Sequence, residues 1–140
     1  MYKLFVFFLF LVIIVCACNL QNESVEFQEY YSSGYLLYQE DCSQCHKKDG
    51  KGFENIYPPL AETDFLDNNE QQVACIIRYG QETPLKVNGQ SYEIPMAPHE
   101  DYLNIDIAQV MTYIYNTWGN KRERVTVQEV NKWLENCGKE

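Results

Sequence analysis

Apolar residues in the middle of the chain recur at helical spacing, and the ends of two helices can be placed. Ser32-Ser33 can cap a first helix over about residues 34–42. Asp67 or Asn68 can cap a second helix, which Gly80 ends. The connecting segments contain Gly and Pro, which interrupt regular structure.

The pattern further along the chain predicts a hairpin and two more helices. Asn88-Gly89 lies between alternating residues of 86–92, which is a strong hairpin signal. A third helix starts near Asn104, and a shorter amphipathic helix follows over 127–136. The apolar residues of the third helix share one face: Ile107, Val110, Met111, Ile114 and Tyr115. The sequence therefore predicts an all-α protein, with one domain over 32–120 and a helical extension over 121–140.

Residues 1–17 have the pattern of an export signal. Lys3 precedes an unbroken apolar stretch over 4–15, which is too short for a comfortable membrane span. It ends at Val15-Cys16-Ala17-Cys18, which resembles the lipobox of bacterial lipoproteins. The resemblance implies cleavage before Cys18 and attachment of lipid to this residue, which would anchor the protein stably. The polar and acidic residues 18–31 are typical of a tether.

Two alternatives stay open at the N-terminus: ordinary signal-peptidase cleavage and a retained transmembrane anchor. All three interpretations export the domain, so we expect it on the periplasmic or cell-surface side of a bacterial membrane. Free thiols tend to pair in such an oxidising compartment. Cys75 and Cys137 are therefore candidates for a disulfide that ties the extension to the core, the alternative being two separate buried thiols.

The clearest chemical signal is Cys42-Ser43-Gln44-Cys45-His46. Two cysteines at this spacing can bond both vinyl groups of one haem, and the His that follows becomes an axial ligand of the iron. A zinc site would need four ligands, usually including a second matching pair, but Cys75 and Cys137 are isolated in the sequence and the remaining histidine is His99. A thioredoxin-like pair would lie between a strand and a helix, and this sequence predicts few strands. We therefore predict one covalently bound haem c.

The sixth ligand of the iron must come from elsewhere in the chain, and Met96 is the main candidate. It lies between Pro95 and Pro98, which stiffen the loop that would hold its thioether. Met111 falls on the apolar face of a predicted helix, where Met normally fills the core. His99 is the rival ligand, and the choice matters because Met raises the reduction potential.

These motifs resemble, in their order, a class I cytochrome c, in particular the short haem domains seen alone or fused to bacterial terminal oxidases and nitrite reductases. The resemblance covers about residues 31–120. It implies a class I cytochrome c fold wrapped around one haem, with the carbonyl of Pro58 accepting a hydrogen bond from axial His46. It also implies that the first and last core helices cross at Gly34 against Tyr113. The matching positions are Gly34, Tyr38, the Cys42–His46 motif, Pro58, Met96, Val110 and Tyr113.

The formal net charge of −9 disfavours a nucleic-acid partner, because phosphate binding needs a basic surface. An acidic surface either keeps the protein soluble or steers it to a basic patch on a redox protein. Arg78 and Trp118 are minor candidates for contact with a haem propionate. A surface cation and a core aromatic are the simpler interpretations of these two residues.

The leading functional hypothesis is a membrane-tethered electron carrier of a respiratory chain, which is not itself an enzyme. No acid–base constellation or nucleophile stands out beside the haem motif, and a carrier needs none. The expected partners are redox proteins such as a terminal oxidase, a reductase or another cytochrome. The alternatives are a haem enzyme or gas sensor with an open sixth position, and a haem-bearing docking subunit of a larger oxidase or reductase.

Overall fold

A computed structural model describes residues 25–138 as a mostly helical chain around an apolar cavity. Helix α1 spans residues 25–37, continues as a π-helical turn over Tyr38–Cys42, and leads directly into α2 (Ser43–His46). The elements that follow are α3 (Asp64–Asn68), α4 (Glu70–Tyr79), β1 (Leu85–Val87), β2 (Gln90–Tyr92), α5 (Asn104–Ile114) and α6 (Val127–Leu134). The prediction of an all-α architecture with one short hairpin is confirmed.

The first helix starts earlier than the sequence predicted. Residues 25–31 are helical, and Tyr30 and Tyr31 pack against the core. The prediction of a tether is therefore wrong for this segment. Ser32 lies inside the helix instead of capping it, and its hydroxyl donates a hydrogen bond of 2.7 Å to the carbonyl of Gln28.

The predicted signal peptide over 1–17 and the predicted lipid-attachment site, Cys18, lie outside the described residues. Within residues 25–138, none of the helices combines the length and apolar character needed to cross a membrane. Export and anchoring therefore stay predictions.

The second predicted helix is divided into α3 and α4. Thr63 is extended and caps α3, because its hydroxyl accepts a hydrogen bond from a backbone N–H of the first turn. Asp67 and Asn68, the predicted caps, lie in the last turn of α3, and Asn69 separates the two helices. The predicted end at Gly80 is confirmed, and its φ of 78° is one that glycine adopts without strain.

The predicted hairpin is confirmed. Strands β1 and β2 pair antiparallel with Val87 opposite Gln90, and the turn residues Asn88 and Gly89 have φ values of 48° and 79°. The backbone N–H of Asp64 donates to the Asn88 side chain at 3.0 Å, and the Asn88 N–H donates to the Asp64 carboxylate at 2.7 Å. These two bonds tie the hairpin to the start of α3.

Helices α1 and α5 cross at Gly34, as the resemblance implied. A Cβ atom at Gly34 would overlap the carbonyl of Gln109 and lie 2.9 Å from the Cβ of Tyr113. The Tyr113 ring is buried and contacts the rings of Tyr31 and Tyr38, each with a centroid separation of 5.2 Å. A glycine is thus required for the two backbones to approach this closely.

The C-terminal extension (residues 121–138) packs against α4 and α5. Thr126 and Glu129 form a capping box at the start of α6, and Val130 is fully buried. Cys75 of α4 is bonded to Cys137, which is the first of the two alternatives that the sequence left open. The extension is therefore part of the folded unit.

Candidate haem-binding site

A cavity of about 330 Å³ lies between α2, α4, the hairpin, α5 and the loops around them. Its volume falls within the range of about 300 to 1,000 Å³ that is usual for ligand pockets. The apolar walls include Val73, Ile76 and Ile77 of α4, Leu85, Val87 and Tyr92 of the hairpin, and Val110 and Ile114 of α5. The same cavity brings together six residues that the sequence singled out: Cys42, Cys45, His46, Pro58, Met96 and His99.

The cysteine motif lies where the N-terminal helix changes its geometry. The backbone N–H of Ser43 donates to the carbonyl of Tyr38, five residues earlier, so the turn is wider than in an α-helix. Widened turns of this kind are frequent at functional sites. Lys47, with a φ of 63°, then ends α2 directly after His46.

Cys42 and Cys45 are half-buried free thiols in the cavity wall. Burial raises the pKa of Cys42 to about 12, with smaller contributions from the charges of Asp41 and Cys45. A thioredoxin-like pair needs a thiol whose pKa is lowered, so that the reactive thiolate forms near neutral pH. The surroundings of Cys42 do the opposite, which argues against that interpretation of the motif.

The ring of His46 is fixed by the residue that the resemblance indicated. Its Nδ1 lies 2.9 Å from the carbonyl oxygen of Pro58, so the proton of the neutral ring belongs on Nδ1 and Nε2 keeps its lone pair. Burial lowers the pKa of His46, although the hydrogen bond to Pro58 opposes this shift. A neutral imidazole with a free Nε2 is the form that binds a metal.

Gly52 allows the backbone to pass close to Pro58. A Cβ atom at Gly52 would overlap the carbonyl of Tyr57 and lie 2.6 Å from the carbonyl oxygen of Pro58. The Gly52 N–H also donates to the carbonyl of His46 at 3.0 Å. In the sequence Gly52 is one of the glycines of the connecting segments, and its role is visible only through these contacts.

Met96 is held at the cavity by its backbone. Its N–H and C=O both bond to Gln81, each at 2.9 Å, in an isolated antiparallel bridge. A Cβ atom at Gly80 would lie 2.6 Å from the Met96 carbonyl, so this approach also needs glycine. The N–H of His99 donates to the carbonyl of Ile77 at 3.0 Å. The loop is thus attached at two points to the end of α4.

The other candidates occupy different surroundings. His99 lines the cavity, half-buried, with its ring 4.8 Å from that of Tyr102. Met111 is fully buried in the core and is not among the lining residues.

The two propionate candidates bond elsewhere. Arg78 donates to the carbonyl of Glu100 at 3.1 Å and to the side chain of Asn104 at 2.6 Å. Trp118 donates to the carbonyl of Lys48 at 3.1 Å. Neither residue lines the cavity, so the structure gives both of them roles in holding loops.

The site fits a c-type haem. The cavity is apolar, two thiols share one wall, and a neutral His ring has its Nε2 free. An all-α domain with such a site defines a c-type cytochrome. The cytochrome c family matches residues 31–118, so the chain belongs to this family. The predicted class I cytochrome c fold is thereby confirmed, as is a covalently bound haem c with its iron. The domain transfers electrons through that haem, as a carrier or as a subunit of a redox enzyme.

Two relatives illustrate the range of proteins that this chain resembles. Cytochrome c-552 of Thermus thermophilus is 26% identical over 110 residues, which are 72% of this chain and 83% of the relative. The cytochrome c subunit of a quinone alcohol dehydrogenase from Gluconacetobacter polyoxogenes is 31% identical over 102 residues. That match covers 71% of this chain but 22% of the relative.

The substitution Gly52→Ala tests the contact between Gly52 and Pro58. It combines an unfavourable positive φ with a collision, so we expect the free energy of unfolding to fall by about 2–4 kcal/mol. The Nδ1–H of His46 should exchange faster with solvent, as measured by NMR. Gly89→Ala is the matched control, because Gly89 has a similar φ but no atom within 4 Å of an added Cβ. It should cost about 1 kcal/mol and leave His46 unchanged. Equal effects of the two substitutions would contradict the prediction.

Proposed function

We propose that the protein is a membrane-tethered electron carrier of a respiratory chain. In this proposal Cys42 and Cys45 attach the haem, and His46 and Met96 are the axial ligands. The observation that carries it is that one apolar cavity gathers all four side chains from two distant segments. Bound haem c supplies the one-electron couple of its iron, and the chain supplies attachment, ligands and burial.

The hydrogen bond to Pro58 supports His46 as the first axial ligand. This hydrogen bond holds the ring in one tautomer and makes Nε2 a stronger electron-pair donor to a metal. The mostly apolar lining of the cavity would shield a bound haem from much of the solvent. Both proposed ligands are neutral side chains, and the type of ligand and the burial of the haem are among the factors that set the reduction potential.

The backbone of its loop supports Met96 over His99 as the sixth ligand. The backbone N–H and C=O of Met96 are both hydrogen-bonded, and the preceding residue, Pro95, has a φ angle fixed by its ring. A thioether on such a segment can be held against the iron with little loss of conformational entropy. The ring of His99 instead packs beside Tyr102.

The residues near the edge of the cavity favour a redox partner with a basic surface. Ile94 is 53% exposed there, and Glu82, Glu93 and Glu100 are exposed residues next to lining residues in the sequence. Lys86 is a single cation in the same stretch. An apolar centre bordered by acidic residues suits an oxidase, reductase or cytochrome with a basic docking surface, since opposite charges speed the encounter.

A docking subunit is the second candidate function. The alcohol dehydrogenase relative is, by its name, a subunit of a larger redox enzyme, and its similarity to this chain covers the haem domain. A docked cytochrome still transfers electrons, so the site is used in the same way. The two candidates differ in whether the protein leaves its partner between transfers.

Covalent attachment is tested by the double substitution Cys42→Ser/Cys45→Ser. The wild-type protein should keep its haem in denaturing electrophoresis with haem staining, and the variant should lose it. The double substitution Cys75→Ser/Cys137→Ser is the matched control, because these cysteines are bonded to each other away from the cavity. A stained band from the Cys42/Cys45 variant would disprove the attachment.

The sixth ligand is tested by Met96→Ala, with His99→Ala for the rival. We expect the visible spectrum of Met96→Ala to change from that of low-spin, six-coordinate iron to that of high-spin, five-coordinate iron. The reduction potential should also fall, because a thioether ligand raises the potential. His99→Ala should change neither. Met111→Leu controls for loss of a methionine, since this volume-conserving change costs less than about 1.5 kcal/mol. If the Met96 variant keeps its spectrum and potential, Met96 is not the ligand and an open or His-ligated site is favoured.

The anchor is tested by Cys18→Ser, with Cys16→Ser as control. The wild-type and Cys16→Ser proteins should sediment with membranes, and Cys18→Ser should be found in the soluble fraction. Extraction of the wild-type protein in mild detergent then separates the two functions: a carrier is released alone, and a docking subunit is released with its redox enzyme. Membrane retention of Cys18→Ser would overturn the lipid anchor.

A further inference from the structure

We propose that the C-terminal extension is a positioning element for the haem site: it holds α4, and α4 in turn holds Met96 at the cavity. The extension lies beyond residues 31–118, which match the cytochrome c family, so the family match gives it no role. The proposal rests on Met96 being the sixth ligand, as proposed above. Three sets of contacts connect the extension with the Met96 loop through α4.

The extension is fastened to α4 at two points. Cys137 is covalently bonded to Cys75 in the middle of the helix. Arg122 holds Glu70, the first residue of the helix, through its Nε at 2.5 Å and its Nη2 at 3.0 Å. A two-pronged contact between a guanidinium and a carboxylate fixes direction as well as distance.

The attachment through Arg122 is partly shielded from solvent. The side chain of Arg122 is 20% exposed, and its guanidinium lies 5.7 Å from the ring centres of Tyr115 and Trp133. It also bonds Glu129 of α6 at 3.1 Å. Such a network, with one aromatic ring from the residue that follows α5 and another from α6, stabilises more than an isolated surface ion pair.

Other residues of α4, and the segment that follows the helix, border the haem site. Ile76 and Ile77 line the cavity, and the Ile77 carbonyl accepts the N–H of His99. Two residues beyond the end of the helix, Gln81 forms both backbone bonds of Met96. The ten-residue helix therefore connects the extension, at Glu70 and Cys75, with the Met96 loop, at Ile77 and Gln81.

A shift of α4 would move Met96 with it. Release of the extension would raise the fraction of molecules in which the loop has left the cavity, because one anchoring point of the loop, Ile77, belongs to α4 and the other, Gln81, lies two residues beyond it. An added ligand such as imidazole binds the iron only in that fraction, so its apparent affinity reports the population.

The experiment uses the full-length ferric protein with haem bound and titrates imidazole by visible absorption. We expect Cys75→Ser/Cys137→Ser to raise the imidazole affinity about tenfold, and Arg122→Gln to raise it by a smaller factor. Arg124→Gln is the matched control, because Arg124 belongs to the same extension but pairs with Glu26 of α1 at 2.9 Å. It should leave the affinity within about twofold of wild type, whatever its effect on the unfolding temperature.

Hydrogen exchange of the Met96 and His99 amides gives a readout that does not depend on which residue ligates the iron. Both amides should exchange faster in the cysteine double variant and in Arg122→Gln than in Arg124→Gln. If exchange at these amides is equal in all three variants, the extension does not position the loop and the proposal is overturned. If exchange rises as expected but Met96→Ala does not change imidazole binding, the positioning stands and the ligand assignment fails. Arg122→Gln decides the question if the cysteine variant does not fold.

Discussion

The close approach of α1 and α5 at Gly34 is the contact on which the rest of the structure depends. Helix α1 runs without a break into Cys42–His46, so the direction of α1 determines where the cysteine motif lies. Helix α5 presents Val110 and Ile114 to the cavity. A side chain at Gly34 would separate the two backbones, and the wall carrying the motif would move away from the wall that α5 provides.

The chemistry of the site follows from burial in this apolar space. Burial lowers the pKa of His46, so its ring is neutral near pH 7, and cysteines that are bonded to haem as thioethers carry no charge. The polar contact that remains, from His46 to Pro58, orients the ring. The proposed His46 and Met96 ligands hold and orient the haem without supplying an acid or base, which suits an electron-transfer site.

The sequence predicted most of the elements because they depend on local preferences. The hairpin at Asn88-Gly89 follows from the positive φ of its turn, and the end of α4 at Gly80 follows from the same property. The start of α1 was wrong because Tyr30 and Tyr31 pack on the core, and this tertiary contact extends the helix through a polar segment. The caps at Asp67 and Asn68 were wrong because the extended Thr63 starts a separate helix.

By itself the sequence determined that haem is attached, since the spacing of Cys42, Cys45 and His46 encodes that chemistry within five residues. It also indicated Met96 and, through family resemblance, Pro58. Only the tertiary structure showed how these residues meet in one cavity, and which role belongs to the extension. The reason is physical: the bridge between Met96 and Gln81 and the contacts of Arg122 with Glu70 join residues far apart in the chain, and no local pattern records such pairs.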